Sequence, residues 1–166
     1  MLNYICLGIA AVALDQLVKF WAEHSLSQVD TIALIPGVFH LTYVQNFGAA
    51  FNTMNNQRLL LVVLTSAVLL VIFVLLLLGK LRSPWMVVSW SLILSGGAGN
   101  LIDRLFREGG YVVDLFDFRL INFPVFNVAD ICVTVGMALF LIYFIFIERK
   151  EHRRFEIRQE IKRHEQ

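Results

Sequence analysis

A carboxylate stands at the edge of a long apolar segment near the end of this chain. Asp130 closes the stretch "FPVFNVAD" at 123–130, and the seventeen residues that follow carry no charge. A second carboxylate, Asp114, lies in the segment before it. Two carboxylates brought close together cannot both ionise cheaply, so they share a proton. Such a pair can act on a peptide carbonyl, one as a base that activates water and the other as a proton donor.

Two further apolar segments carry polar side chains. Asp15 and Lys19 are four residues apart with the acid first, the favoured order for an ion pair on one helix face. Asn100 and Arg104 have the same spacing. Ionisable groups within membrane segments face the protein interior or water and commonly mark functional sites.

Each of these residues also has a purely structural interpretation. Asp15 and Lys19 can form a structural ion pair, and Arg104 can neutralise Asp103. Asp130 can act as a helix N-cap, unless Asn127 takes that role and leaves Asp130 free. The sequence leaves these alternatives open.

Other kinds of catalytic site find little support in the sequence. The four histidines lie in the first outer loop and the tail, and no HExxH motif occurs. Cys6 and Cys132 fall in different apolar segments, near opposite ends of them, and two cysteines alone make a poor metal site. The glycine-rich "SGGAGN" at 95–100 lies inside an apolar segment and is no phosphate loop. We therefore predict neither a metal nor a cofactor.

The elements that must position the polar residues are four apolar segments. The chain is 58% apolar and 16% charged, against about 25% charged in an average soluble domain. Its clearest segment, Leu59–Leu78, has twenty uncharged residues and spans about 30 Å as a helix. Similar segments occur at Tyr4–Ala22, Trp85–Ile102 and Ile131–Ile147. Four transmembrane helices are predicted.

The distribution of Lys and Arg predicts the orientation in the membrane. Seven of them lie in the tail 148–166, and Lys80 and Arg82 lie in the turn between the second and third segments. Four lie toward the opposite face: Arg58, Arg104, Arg107 and Arg119. The positive-inside rule then places both termini in the cytoplasm. We expect a membrane domain over residues 1–147 and a charged cytoplasmic tail over 148–166.

This orientation brings the polar residues to one depth. Asp15 and Lys19 lie about 18–24 Å from the cytoplasmic start, and Asn100 to Arg104 about 22–28 Å past Trp85. The outer loop 23–57 is too long for a simple turn. It contains "VFHLTYVQN", and "YVVDLFDF" follows the third segment; both alternate as short strands do. The prediction is a membrane protein with an all-α core of four transmembrane helices and a small β-sheet on its outer face.

Five stretches occur in an order that resembles the signal peptidase II (lipoprotein signal peptidase) family. They are "DQLVK" at 15–19, "NFGAAF" at 46–51, "GGAGNLIDR" at 96–104, "VVDLFDF" at 112–118 and "FNVAD" at 126–130. The resemblance covers about residues 4–147. One departure concerns Gln45, because many family members have arginine before this asparagine.

The resemblance implies an intramembrane aspartic endopeptidase of the bacterial cytoplasmic (inner) membrane, with its site toward the outer face. Such enzymes remove the signal peptide from prolipoproteins, cleaving before the diacylglyceryl-modified cysteine. It implies Asp114 and Asp130 as the catalytic pair. It implies lipid-modified prolipoprotein signal peptides and membrane lipids as partners, peptide antibiotics such as globomycin as inhibitors, and no nucleic acid. The supporting residues that it implies are Asp15, Lys19, Asn46, Gly48, Asn100, Arg104 and Asn127.

A small transporter or proton conductor with a polar lining is the alternative, since it would also hold ionisable groups in the bilayer. Two observations weigh against it. The second apolar segment has no polar residue beyond Thr65 and Ser66, and the chain has no internal repeat of the kind common in transporters.

Overall fold

Four long helices dominate the structure, a computed structural model that describes residues 2–29, 31–48, 57–79 and 83–147, with Ile157 and Arg163. The helices are α1 (Leu2–Trp21), α2 (Arg58–Leu77), α3 (Pro84–Phe106) and α4 (Val128–Ile142). Single π-helical turns extend α1 over Ala22–Leu26 and α4 over Tyr143–Ile147. Among the described residues, four helices are long and apolar enough to cross a membrane, as predicted. The third and fourth reach further than expected, so Asp103, Arg104 and Asp130 lie within helices.

Some of the predicted features fall outside the described residues. These are the turn residues Lys80 and Arg82, the small residues Ala49 and Ala50, and the charged tail 148–166 apart from Ile157 and Arg163. The predicted division at residue 147 therefore stays a prediction.

A three-stranded antiparallel sheet joins the ends of the helices. Its strands are β1 (Ile32–Ile35), β2 (Phe39–Asn46) and β3 (Val112–Phe118), in the order β1-β2-β3. This confirms the predicted small sheet. On β2 and β3, Val44 lies opposite Asp114 and Asn46 lies opposite Val112. The register thus brings Asn46 beside Asp114.

The start of α4 is tied to β3 by a short backbone bridge. Phe126 donates its N–H to the carbonyl of Phe116 at 3.1 Å, and its own carbonyl accepts from Leu115 and Phe116 at 3.0 and 2.8 Å. Asn127, the next residue, begins α4 as its N-cap. The bridge therefore places the first turn of α4 beside the strand that carries Asp114.

Helix α3 is the central helix of the bundle, because it packs against the other three. The small residues of "SGGAGN" allow neighbouring helices to approach it closely. A Cβ atom at Gly96 would lie 2.3 Å from the carbonyl oxygen of Ala129 on α4. A Cβ atom at Gly99 would lie 2.5 Å from Asp15 Oδ2 on α1. Larger residues there would push α1 and α4 away from α3, and with them the polar groups described next.

Candidate active site

Asn127 and Asp130 form a capping box at the start of α4. Asn127 Oδ1 accepts the backbone N–H of Asp130 at 2.9 Å, and Asp130 Oδ2 accepts the backbone N–H of Asn127 at 3.1 Å. Such reciprocal bonds satisfy two of the free N–H groups of a helix N-terminus. Asn127 is therefore the N-cap, and the alternative that Asp130 is the N-cap is wrong; Asp130, at the third helical position, returns the bond. The second oxygen of Asp130 remains directed toward α3.

The three asparagines of the site present their NH₂ groups to the two aspartates. Asn127 Nδ2 donates to Asp114 Oδ1 at 2.6 Å, and Asn46 Nδ2 donates to Asp114 Oδ2 at 2.9 Å. Asn100 Nδ2 donates to Asp130 Oδ1 at 2.8 Å. With the capping bond to Asp130 Oδ2, each of the four carboxylate oxygens accepts one hydrogen bond from the protein. Asn127 thus links the two carboxylates directly.

The direction of each amide is determined by a partner that can only donate. The backbone N–H of Gly48 donates to Asn46 Oδ1 at 2.9 Å, as the N–H of Asp130 does to Asn127 Oδ1. The ammonium of Lys19 donates to Asn100 Oδ1 at 2.8 Å. An amide whose oxygen is occupied in this way must turn its NH₂ group to its other neighbour.

Behind the three asparagines and the two aspartates lies a buried ion cluster. Lys19 is 0% exposed and lies 2.8 Å from Asp15 Oδ2 and 3.1 Å from Asp103 Oδ2. Asp15 Oδ1 also accepts the backbone N–H of Ala129 at 2.8 Å, which ties α1 to the first turn of α4. Asp103 Oδ2 accepts the N–H of Val113 at 3.2 Å, which ties α3 to β3. The predicted Asp15–Lys19 pair is confirmed, and Asp103 is its third member.

Arg104 is not the counter-charge of Asp103, the structural role considered for it from the sequence. The ion-pair partners of Asp103 in the described chain are Lys19 and Arg107, with Arg107 Nε at 3.1 Å. Arg104 instead donates to the backbone carbonyl of Gly48 at 2.8 Å, and to that of Asn100 at 3.3 Å. Its guanidinium therefore holds the loop after β2 against α3, and Gly48 takes part through its backbone alone.

Burial strongly raises the pKa of the Asp114 side chain, which is 2% exposed. Loss of water and, next, the charge of Asp130 raise the pKa of the Asp114 carboxyl from 3.8 to about 7. The hydrogen bonds from Asn46 and Asn127 act in the opposite direction, since they favour the ionised form. At neutral pH a substantial fraction of Asp114 therefore keeps its proton.

The two aspartates open onto one cavity of about 580 Å³. Asp15 and Lys19 lie behind its wall and support it. The cavity also includes residues that the sequence analysis did not assign to a site, among them Leu61 and Thr65 of α2 and the segment 123–126. Within the described chain, no group of three or more His, Cys, Asp or Glu side chains is placed to hold a metal ion. The predicted site residues that line the cavity are Asn46, Asn100, Arg104, Asp114, Asn127 and Asp130.

Comparisons with known proteins agree with the motifs. The sequence model of one family, described as "Signal peptidase (SPase) II", matches residues 7–146. The lipoprotein signal peptidase of Streptococcus thermophilus (strain CNRZ 1066) is 43% identical over 144 residues, covering 87% of this chain and 93% of that protein. That of Clostridioides difficile (strain 630) is 43% identical over 147 residues, covering 89% and 97%.

Two solved structures of bacterial membrane enzymes share the fold. One has a TM-score of 0.81 and 27% identity, covering 87% of this chain and 88% of that one. The other has a TM-score of 0.78 and 27% identity, covering 88% and 94%.

The buried cluster yields a prediction about stability. Replacing Lys19 by Met should destabilise the fold by roughly 3 kcal/mol, because Asp15 and Asp103 would stay buried without their shared cation. Thermal unfolding in detergent measures the change. The double variant Lys19→Met/Asp15→Asn should recover part of the loss, since it removes one uncompensated charge and keeps an oxygen for the Ala129 N–H. An unfolding temperature for Lys19→Met equal to that of the wild type would contradict the cluster's structural role.

Proposed function

The chain belongs to the signal peptidase II family, and because the relatives to which it is similar are lipoprotein signal peptidases, we propose that it is an intramembrane aspartic endopeptidase. Its substrates are diacylglyceryl-modified prolipoproteins, and it cleaves before the lipidated cysteine. The observation that carries this proposal is the pairing of Asp114 and Asp130 through Asn127 at the wall of one cavity.

The chemistry uses the two aspartates in turn. Asp130 takes a proton from a water molecule while the resulting hydroxide attacks the scissile carbonyl, and Asp114 donates its proton to the carbonyl oxygen. Asp114 then recovers a proton from the tetrahedral intermediate as the C–N bond breaks, and Asp130 gives its proton to the leaving amine. The products are the signal peptide carboxylate end and the free amine of the lipidated cysteine. The hydrogen-bond donors on all four carboxylate oxygens hold both groups in place during this exchange.

The arrangement favours a peptidase over the transporter alternative. Asp15, Lys19 and Asp103 are among the ionisable groups that a transporter would also hold in the bilayer, but they are at most 1% exposed, and both aspartates are paired with Lys19. They support the cavity wall rather than line a path.

Four membrane-spanning helices fit a bacterial multi-pass membrane protein. We further propose that both termini face the cytoplasm and that the cavity opens at the outer leaflet. There the lipid of the modified cysteine stays in the membrane, and water can reach the scissile bond. Membrane lipids are then immediate neighbours of the site, and globomycin-type peptides would inhibit by occupying the same cavity.

Replacing either aspartate tests the mechanism. Asp114→Asn and Asp130→Asn should each lower the cleavage rate of a diacylglyceryl-modified peptide by at least about 100-fold, because an amide cannot exchange the proton. Asp117→Asn is the matched control. Asp117 lies on the same strand but pairs with Arg119 at 2.8 Å and does not line the cavity. Near-normal turnover by either dyad variant would remove that residue from the mechanism.

The pH dependence should report the proton on Asp114. Since its pKa is raised to about 7, the proton needed by the carbonyl is present below pH 7 and lost above it. We expect kcat/KM to fall about tenfold per pH unit above this value. Asn46→Ala should move the fall to higher pH, because it removes a hydrogen bond that favours the ionised form. A profile that stays flat to pH 9 would contradict the role of Asp114 as the acid.

The orientation can be tested with reporter fusions. Fusions after Gln57 and Gly110 should report the outer side, and fusions after Arg82 and Gln166 the cytoplasm. The physical reason is the excess of Lys and Arg at the expected cytoplasmic face. A Gln166 fusion that reports the outer side would overturn the orientation.

A further inference from the structure

Helix α2 has two hydroxyls, Thr65 and Ser66, and neither has a partner in the described chain; of the two, only Thr65 lines the cavity. Ser and Thr in membrane helices commonly donate to the carbonyl four residues earlier. On α3, Ser89 donates in this way to Trp85 at 2.7 Å and Ser95 to Ser91 at 2.6 Å. Thr65 on α2 has no such bond, nor any other to a described residue. Its hydroxyl is therefore available to a ligand.

Thr65 lies in the wall of the proposed catalytic cavity. Thr65 and Leu61, one helical turn apart, line it from α2, and Asn100 and Asp130 line it from α3 and α4. The cavity is thus a groove between α2 and α4 with α3 at its base, and Thr65 is its polar contribution from α2.

The depth of Thr65 follows from two contacts between the antiparallel helices α2 and α3. At the outer end of α2, Arg58 Nε donates to the carbonyl of Arg104 at 2.7 Å. Further in, Leu69 lies against Gly97, where an added Cβ would come within 2.6 Å of Leu69 Cδ2. Thr65 lies between Arg58 and Leu69, so it is level with the part of α3 between Arg104 and Gly97. Asn100, the hydrogen-bond donor to Asp130, is in that part.

A signal peptide in this groove needs a hydrogen-bond donor at that depth. Its scissile bond must leave the helical conformation to reach the aspartates, and the last four carbonyls of the helix before it then lack backbone N–H partners. In a water-poor groove an unsatisfied carbonyl is costly, so a protein donor there favours the bound peptide. The N–H groups of the same residues still bond to the preceding turn and need no replacement.

We infer that the Thr65 hydroxyl binds substrate, donating a hydrogen bond to a backbone carbonyl of the signal peptide within the last helical turn before the scissile bond. This inference rests on the proposed function and adds a substrate-binding residue on the wall opposite the aspartates. Because the contact is to the backbone, it is independent of the signal peptide's side chains. Leu61, one turn away, packs against those side chains.

Substitutions at Thr65 test the contact by activity. Thr65→Val removes the hydroxyl and keeps the shape, so kcat/KM for a diacylglyceryl-modified peptide should fall between about threefold and tenfold, mainly through KM. Thr65→Ser should stay within about twofold of the wild type. Ser66→Ala is the matched control, since Ser66 is the neighbouring α2 hydroxyl and does not line the cavity. All three variants should unfold in detergent at the wild-type temperature.

The outcomes separate this inference from the proposed function. If the wild type cleaves and Thr65→Val cleaves equally well, the inference fails and the proposed function stands. If the wild type does not cleave the modified peptide, the proposed function itself fails.

Cross-linking gives a second measurement that needs no turnover. Thr65→Cys is made with Asp114→Asn, Cys6→Ser and Cys132→Ser, so that the peptide is not cleaved and the two native thiols are absent. Peptides carrying one cysteine at successive positions are then treated with a short thiol cross-linker; the lipidated cysteine does not compete because its sulfur is a thioether. Cross-links should concentrate in the four residues before the scissile bond. Cross-links confined to the middle of the signal peptide, or none at all, would overturn the inference.

Discussion

The buried ammonium of Lys19 is the interaction on which the rest of the site depends. It can only donate hydrogen bonds, and it occupies the oxygen of Asn100, which must then turn its NH₂ group to Asp130. The same cation pairs with Asp15 and Asp103, and Arg107 is a second cation beside Asp103, so the buried carboxylates stay compatible with the folded state. Through the backbone bonds of these two carboxylates, α1 is tied to α4 and α3 to β3. The Lys19 cation thus helps to hold the helices in position and sets the direction of the hydrogen bond from Asn100 to Asp130.

The side chains that cap α4, Asn127 and Asp130, also belong to the proposed active site. The capping box that begins the helix also fixes Asp130 and turns the Asn127 amide to Asp114. Asp114 reaches that amide because Phe126 is bonded to β3 and because glycines let α3 approach α4 closely. The proposed catalytic pair is therefore assembled from a helix terminus and a strand, two rigid elements, as precise positioning requires.

Burial of Asp114 lowers the stability of the folded protein at neutral and higher pH. The pKa of Asp114 is higher in the folded state than its ordinary value of 3.8, so folding favours the protonated form. This contribution to stability is complete at pH values below 3.8 and is lost as the pH rises through about 7. The bonds from Asn46 and Asn127 offset part of that loss, since they stabilise the ionised form. Their presence keeps the carboxyl able both to hold and to release a proton near neutral pH.

Local sequence was sufficient for the elements and for the identity of the polar residues, whereas their partners were decided by the tertiary structure. Apolar runs, strand alternation and motifs predicted four helices, a small sheet and the Asp15–Lys19 pair, because each signal lies within one continuous segment of the chain. The pairing of Asp103 with Lys19 and the turn of Thr65 toward the groove were not predictable in this way. They depend on how each helix is rotated about its axis. A membrane helix carries little information on that rotation in its hydropathy, because lipid and protein interior are equally apolar. The close packing of α3 against its neighbours and the contacts of the buried Lys19 fix the rotation, and with it the direction of the hydrogen bonds in the site.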